Sequence, residues 1–346
     1  MSKRIVTFGE MLMRLSTPGY LRLQQAHNFD VNFGGSEFNV AVSVASYGGD
    51  VTLVTVLPDN PLGDVCMMKL REHSVGTDGI MVMKGQRLGT YIVEKAADMR
   101  PASVIYDRRD SAFACLKPGM IDWEKLFEGA GIFHWSGIDA ALTQGLADVC
   151  KEAILTADKM GLKISCDINY RKNLWQYGKS AEEVLVPLMQ YSDIVFGSSS
   201  EYEKALGLKA PEFKVRHADE TLDVDAYTDY CARLGKMLPR CKYLFMCMRN
   251  SMTSEHNSLE AVLYTGGEMK VSRTYEVNHV VDSMGVGDAF VGAMLYACQN
   301  YTDNQKRLDF AMAGSALKNT VVGDYNMVSV DEVERTIQGQ SAEIKR

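Results

Sequence analysis

From Ile132 to Met248 short apolar runs alternate with longer amphipathic stretches, and few folds accommodate that rhythm. Ile132–Trp135, Lys163–Asp167, Ile194–Phe196 and Tyr243–Met248 read as strands. Between and around them, Leu142–Met160, Ala181–Gln190, Ser199–Leu206 and Asp225–Met237 carry helical periodicity. Runs without polar alternation suit strands buried on both faces, and helical crossovers make such strands parallel. The N-terminal part repeats the pattern: strand Ile5–Phe8, helix Glu37–Tyr47 stopped at Gly48-Gly49, strand Val51–Leu57, helix Gly63–His73. Strands are expected near Ala261–Tyr264 and Tyr275–Val281, and helices over Ala289–Gln299, Asp303–Asn319 and Val330–Gln338. The expectation is one α/β domain over residues 1–346, a mostly parallel central sheet with helices on both faces.

Two patches do not fit that core. In Leu21–Phe33 the residues Leu21, Leu23, Phe29, Val31 and Phe33 alternate with polar ones, and Gly89–Glu94 and Ser103–Tyr106 read as an exposed hairpin. That is the period of a half-exposed sheet. Strands from about 11–33 and 86–110 are therefore expected to form a small separate sheet, a lid over the main one. Residues 211–225 are charged and aperiodic, and read as a surface loop.

Composition narrows the function. Lys plus Arg is 37 and Asp plus Glu is 44, a net charge of −7, which argues against nucleic-acid binding through a basic field. An anionic ligand would then need a local basic cluster. The eight cysteines are scattered with no Cys-x-x-Cys and no His pair at zinc spacing, so neither a structural zinc nor a disulfide framework is expected. The apolar run Ile5–Phe8 is too short for a signal peptide, and no run reaches the ~18 residues of a spanning helix. A cytoplasmic protein without membrane partners is expected.

Chemistry concentrates in Asp282-Ser283-Met284-Gly285-Val286-Gly287-Asp288-Ala289-Phe290. The expected strand end His279–Val281 runs into a glycine-bearing turn and then a helix. Gly285 and Gly287 permit a tight turn whose N–H groups converge, and the helix start adds its positive dipole end, which suits a phosphate. Asp288 beside that hole can take the proton of an attacking hydroxyl. Alternatively, Asp288 is only an N-cap. A dinucleotide fingerprint fails, because Gly292 is out of register and the glycines come late in the chain.

These residues resemble the D-T-x-G-A-G-D signature of the PfkB (ribokinase-like) sugar kinases, and Gly34-Gly35-Ser36-Glu37-Phe38-Asn39-Val40-Ala41 resembles that family's G-G-x-x-x-N-x-A signature. Further segments are similar to the 2-keto-3-deoxygluconate (KDG) kinase branch: Gly9–Ser16, Leu57–Gly63, Tyr106-Asp107-Arg108, Asp167–Trp175 and Gly323–Asn326. The similarity runs from about Lys3 to Val333. It implies a ribokinase-like three-layer α/β/α fold and an ATP- and Mg²⁺-dependent kinase phosphorylating the terminal hydroxyl of KDG. Asp288 would be the base, and the amides of Gly285, Val286 and Gly287 the anion hole. Lid closure would exclude water, and the lid would also join two copies into a homodimer. Val286 departs from the usual Ala or Gly.

The resemblance places Tyr106, Arg108 and Arg171 around the sugar-acid carboxylate, which would be the basic cluster the net charge requires. Surface ion pairing is the alternative for both arginines. Gly34, Gly35, Asn39, Tyr91 and Asp324 complete the implied substrate set; the glycines would let backbone approach the sugar, or simply start a helix. Asn39 could equally hold its own helix, and Tyr91 could only pack. For ATP the resemblance implies Ser198, Glu201, Arg249, Gly285 and Gly287, with Glu201 reaching Mg²⁺ indirectly. Ser198 stands where the family usually has Asn, and Ser198 with Glu201 fits a helix capping box equally well. The loop Cys247–Met252 lacks the family's usual glycines. A kinase for another sugar such as fructose or ribose, or a silent sugar-binding regulator, remain as alternatives.

Overall fold

A computed structural model describes residues 3–215, 217 and 219–339. Met1, Ser2, the two remaining positions of the expected 211–225 loop and the last residues of the 1–346 span lie outside the described residues.

The elements begin with β1 (Arg4–Phe8), β2 (Leu12–Ser16), β3 (Asp30–Gly34), α1 (Ser36–Ser46), β4 (Val51–Pro58), α2 (Pro61–Glu72), β5 (Gly76–Met83), β6 (Thr90–Glu94) and β7 (Ser103–Asp107). They continue with α3 (Trp123–Phe127), β8 (Ala130–Ser136), α4 (Gly137–Leu142), α5 (Gln144–Lys159), β9 (Lys163–Asp167), α6 (Ala181–Met189), β10 (Ile194–Gly197), α7 (Ser199–Leu206) and α8 (Val224–Met237). The last are β11 (Tyr243–Ser251), β12 (Asn257–Thr265), β13 (Glu268–Val271), β14 (Tyr275–Val277), α9 (Val286–Asn300), α10 (Asn304–Lys318) and α11 (Val330–Ile337).

The large sheet runs β13-β12-β11-β10-β9-β8-β1-β4-β5, with β14 also on β12. It is parallel from β5 to β11 and antiparallel beyond. All of β4 is buried, as a strand covered on both faces must be. Successive residues feed opposite cores. Phe133 and Val195 pack with Trp123, Leu146, Ile154 and Tyr202 on one face. Ile132, Ile194 and Phe196 pack with Phe38, Val42, Phe290 and Leu308 on the other. This is the expected α/β/α layering.

The small sheet is β3-β2-β6-β7. β2 alternates buried and partly exposed residues, as its half-exposed pattern requires. Its register puts Val31, Leu15, Ile92 and Ile105 in one cross-strand row on the outer face.

Several expectations need correction. Leu21 and Leu23 are not in a strand: Leu23–Gln25 is a 3-10 turn, tied down where the Leu23 N–H donates to Glu94 Oε2 at 2.8 Å. The helix expected over 142–160 is α5 and begins at Gln144, because extended Thr143 caps it by accepting from the Leu146 N–H; Leu142 instead ends the short α4, which was not anticipated. The strand expected to reach Val281 stops at Val277. The amides of Val280 and Val281 instead donate to the carbonyls of Glu255 and Asn319, so loop and helix-end partners replace a ladder. Edge strands β5 and β13 were not anticipated; half-exposed and short of apolar alternation, they leave little pattern to read.

Candidate active site

The C-terminal ends of the parallel strands gather the polar residues singled out above, the place where open α/β sheets bind ligands. Gly9 follows β1, Ser136 ends β8, Asp167 ends β9 and Gly197 ends β10. The small sheet contributes Tyr91, Tyr106 and Arg108 from one side, and α9 begins on the other.

Gly285 caps α9 in the left-handed region at φ 75°, and a Cβ there would lie 1.5 Å from the Asp324 carbonyl oxygen. Only glycine allows that turn. The amides of Val286, Gly287 and Asp288 follow, and the first N–H groups of a helix have no acceptor within it. A Cβ on Gly287 would meet open space, so this glycine faces the cavity.

Asp288 is the third residue of α9 and not its N-cap, which removes the capping alternative. Ser36 Oγ donates to its Oδ1 at 2.8 Å and Asn39 Nδ2 to its Oδ2 at 2.7 Å. Asn169 Nδ2 donates in turn to Ser36 Oγ at 2.8 Å. Burial pushes the Asp288 carboxyl up, and the bonds from Asn39 and Ser36 pull it partly back. A carboxylate oriented by two donors and drawn toward neutrality is a competent proton acceptor.

Two cavities meet at this carboxylate. The larger, 490 Å³, is lined by Asp167, Ser198, Glu201, Arg249 and Gly287 among others. The smaller, 100 Å³, lies under the small sheet and is lined by Glu10, Gly35, Asn39, Tyr91, Tyr106, Arg108 and Asp324. Asn169, Arg171, Met284, Gly285 and Asp288 border both. A molecule in one cavity can therefore meet a molecule in the other along this shared border, where Asp288 is the one carboxylate among the described residues.

The remaining expected residues fall around these cavities with partners of their own. Arg108 is buried, with Nε and Nη2 both donating to Glu10 Oε2 at 2.7 and 2.5 Å. Arg171 is half-exposed, 3.5 Å from Glu201 Oε1. The rings of Tyr91 and Tyr106 lie 5.8 Å apart, and the Tyr91 hydroxyl donates to Asp324. A Cβ on Gly34 would meet the Asp324 side chain at 2.6 Å, and one on Gly35 the Glu10 carbonyl at 2.0 Å. Protein packing alone accounts for both glycines, and close approach to a ligand is not needed to explain them.

Ser198 caps α7, accepting from the Glu201 N–H, while its own N–H and Oγ donate to Glu201 Oε2 at 2.7 and 2.8 Å. The capping reading is therefore realised, and both side chains still line the larger cavity. Arg249 is exposed on its wall with no carboxylate partner among the described residues. Asp167 is pushed well up, by burial first and then by the charges of Glu201 and Asp288. The wall of that cavity carries Asp167, Glu201, Glu260 and Asp288 against Arg171 and Arg249. No group of three or more His, Cys, Asp or Glu able to hold a metal by itself occurs among the described residues.

Reading the sequence missed two cationic residues. Arg14, on β2, is buried and bonds Asp324 Oδ1 at 2.6 Å and Asp282 Oδ2 at 2.9 Å. Burial opposes its charge, but the two carboxylates outweigh that and it stays protonated. Lys318, at the end of α10, is fully buried beneath the same turn. A cation inside an otherwise apolar stretch was the available signal for Lys318. Arg14 had none beyond its place in the Gly9–Ser16 segment.

The pfkB family carbohydrate kinase profile matches residues 2–226, well over half of the sequence. This chain belongs to that family. The pfkB match ends before α9, but relatives span the rest. A 2-dehydro-3-deoxygalactonokinase of Haloferax volcanii is 32% identical over 346 residues, all of both chains. Among solved pfkB-type structures, the 2-dehydro-3-deoxygluconokinase of Thermotoga maritima superposes with a TM-score of 0.90 at 37% identity, over 97% of this chain and 100% of that one. The fructokinase of Xylella fastidiosa with bound ATP gives 0.78 at 26% identity, over 98% and 99%.

Proposed function

We propose that this pfkB kinase transfers the γ-phosphoryl group of ATP to the terminal hydroxyl of a 2-keto-3-deoxy sugar acid, KDG in the first place. The observation that carries the reading is the meeting of the two cavities at Asp288. ATP in the larger cavity would bring its γ-phosphate to the amides of Gly285–Asp288, and the sugar acid in the smaller would bring its hydroxyl to the carboxylate. Asp288 takes the hydroxyl proton as the oxygen attacks phosphorus and the bond to the departing ADP oxygen breaks. The α9 amides stabilise the equatorial oxygens of the transferring group. Mg²⁺ supplies charge neutralisation on the phosphates. It would be held chiefly by them, and Glu201 and Asp167 on the wall of the larger cavity are the residues that would face it.

Arg108 and Arg171 favour an acid over a neutral sugar. Arg108 already faces Glu10, so the substrate carboxylate would engage its remaining N–H groups, with Tyr106 and Arg171 closing the site. The identity of 32% with a 2-dehydro-3-deoxygalactonokinase favours a second reading, in which the C4 epimer is also accepted.

The chain over 1–346 acts as one domain in this reading, and the small sheet closes as a lid that excludes water. The aliphatic row on that sheet's outer face, where Val31 is 56% and Ile105 49% exposed, supports a homodimer through the lid. No helix among the described residues is long and apolar enough to cross a membrane, consistent with a cytoplasmic enzyme.

ADP release with ATP and Mg²⁺, measured on KDG, its C4 epimer, fructose, ribose and gluconate, tests the assignment. Turnover on the keto-deoxy acids alone supports it. Turnover on fructose or ribose in preference keeps the pfkB kinase and rejects the acid substrate.

A further inference from the structure

Lys318 is the one lysine among the described residues that is completely buried, and it has no carboxylate within ion-pair distance there. Its ammonium donates to two backbone carbonyls, Asp282 at 3.3 Å and Val321 at 3.1 Å. Those carbonyls begin the two segments that shape the anion hole. From Asp282 the chain turns through Gly285 into α9. From Val321 it runs to Gly323, whose N–H donates to Asp282 Oδ2 at 3.2 Å, and to Asp324, whose carbonyl lies against Gly285. The end of α10 holds this turn at further points: Ser315 Oγ donates to the Val286 carbonyl at 2.8 Å, and the Val281 amide donates to Asn319.

An isolated buried ammonium is costly, by several kcal/mol per ion. An apolar residue would fill the same space without that cost. Charge placed behind a phosphate-binding turn has a use, because negative charge moves during transfer and a fixed cation needs no reorganisation. We propose that Lys318 is a positioning residue for phosphoryl transfer: its ammonium ties the 282–285 turn to the 321–324 segment and supplies fixed positive charge behind the amides of α9. This rests on the phosphoryl-transfer reading of the site.

The charged groups facing it are Asp282, Asp324 and Asp288, which favour the ammonium, and Arg14, which opposes it. Burial outweighs them and brings Lys318 down to about 8. The proposal therefore carries a pH signature. Turnover falls as the pH rises through about 8, where the ammonium loses its proton. Because burial disfavours the charged form, removing the charge stabilises the fold while it slows the reaction.

The test compares wild-type enzyme with Lys318→Met, Lys318→Arg and Lys318→Ala, reading kcat against pH and thermal midpoints. Lys318→Met is expected to lose about tenfold or more in kcat, with an unchanged or higher midpoint and no alkaline limb near 8. Lys318→Arg, which keeps its charge, moves that limb to higher pH. Ammonium or methylammonium added in excess restores part of the turnover of Lys318→Ala. A folded Lys318→Met with wild-type kcat and the same alkaline limb overturns the proposal while leaving the kinase reading intact. Loss of kcat in Lys318→Ala without rescue by either amine makes Lys318 a packing residue and overturns it too. A wild-type enzyme without turnover on any sugar acid rejects both readings.

Discussion

Arg14 carries a load that can be measured. It sits on β2, in the small sheet, yet its guanidinium closes a buried ion triad with Asp282 before α9 and Asp324 near the C-terminus. Ser16 Oγ accepts from its Nε at 2.7 Å. Replacing Arg14 by Met keeps much of the volume but leaves Asp282 and Asp324 without their ion-pair partner. Breaking a buried pair by deleting one partner costs about 3–5 kcal/mol. At about 2 °C per kcal/mol, the low end of the scale and suited to a long chain, Tm drops by about 6–10 °C. Urea unfolding at equilibrium gives the free energy directly, and Asp324→Asn closes a double-mutant cycle. With Asp324 neutral, part of the loss in Arg14→Met is recovered, a coupling of about 1–3 kcal/mol. A variant within about 1 kcal/mol of wild type, or strictly additive effects, would refute the claim that this triad joins the small sheet to the turn before α9.

Other perturbations separate function from folding. Arg171→Ala should raise KM for KDG about tenfold or more, the effect of losing a charged hydrogen bond, and leave any weak turnover of fructose unchanged; equal loss on both sugars would speak against a carboxylate site. Gly285→Ala should fold poorly, since its φ of 75° is costly for alanine and its Cβ would strike the Asp324 carbonyl. Gly287→Ala should keep its Tm and lose kcat, because its Cβ enters the cavity and touches no protein atom; normal kcat would remove the phosphate from that wall. His134 is fully buried and brought down to about 3 by burial. The unfolded chain then binds a proton at His134 that the native state does not, so stability falls as pH drops from about 6.5 toward about 3, by up to about 1.4 kcal/mol per unit. His134→Gln should flatten that slope in acid denaturation curves, and an unchanged slope would contradict it.

The main sheet was legible in the sequence because its strands are apolar on both faces, as in Val51–Pro58, and its crossover helices carry caps. The turn into α9 was legible because Gly285 is required by backbone geometry, which a sequence records directly. What stayed hidden depends on contacts between distant segments. Arg14 and Asp324 meet from opposite ends of the chain. The Glu10 carboxylate that holds Arg108 has no local signature, and neither does the bond from Asn39 that orients Asp288. The extended reading of Leu21 and Leu23 failed because two alternating residues do not make a strand when the Leu23 amide finds Glu94. The Asp324 side chain and the Glu10 carbonyl that crowd Gly34 and Gly35 come from other segments, and no local pattern records them.

The most direct test of the central claim is turnover by Asp288→Asn with ATP, Mg²⁺ and KDG, beside calorimetric binding of each ligand. A base held by Ser36 and Asn39 at the junction of both cavities predicts that kcat falls about 10²–10⁴-fold while KDG and ATP still bind. An Asp288→Asn enzyme that keeps wild-type kcat would contradict the account, because no other carboxylate borders both cavities among the described residues.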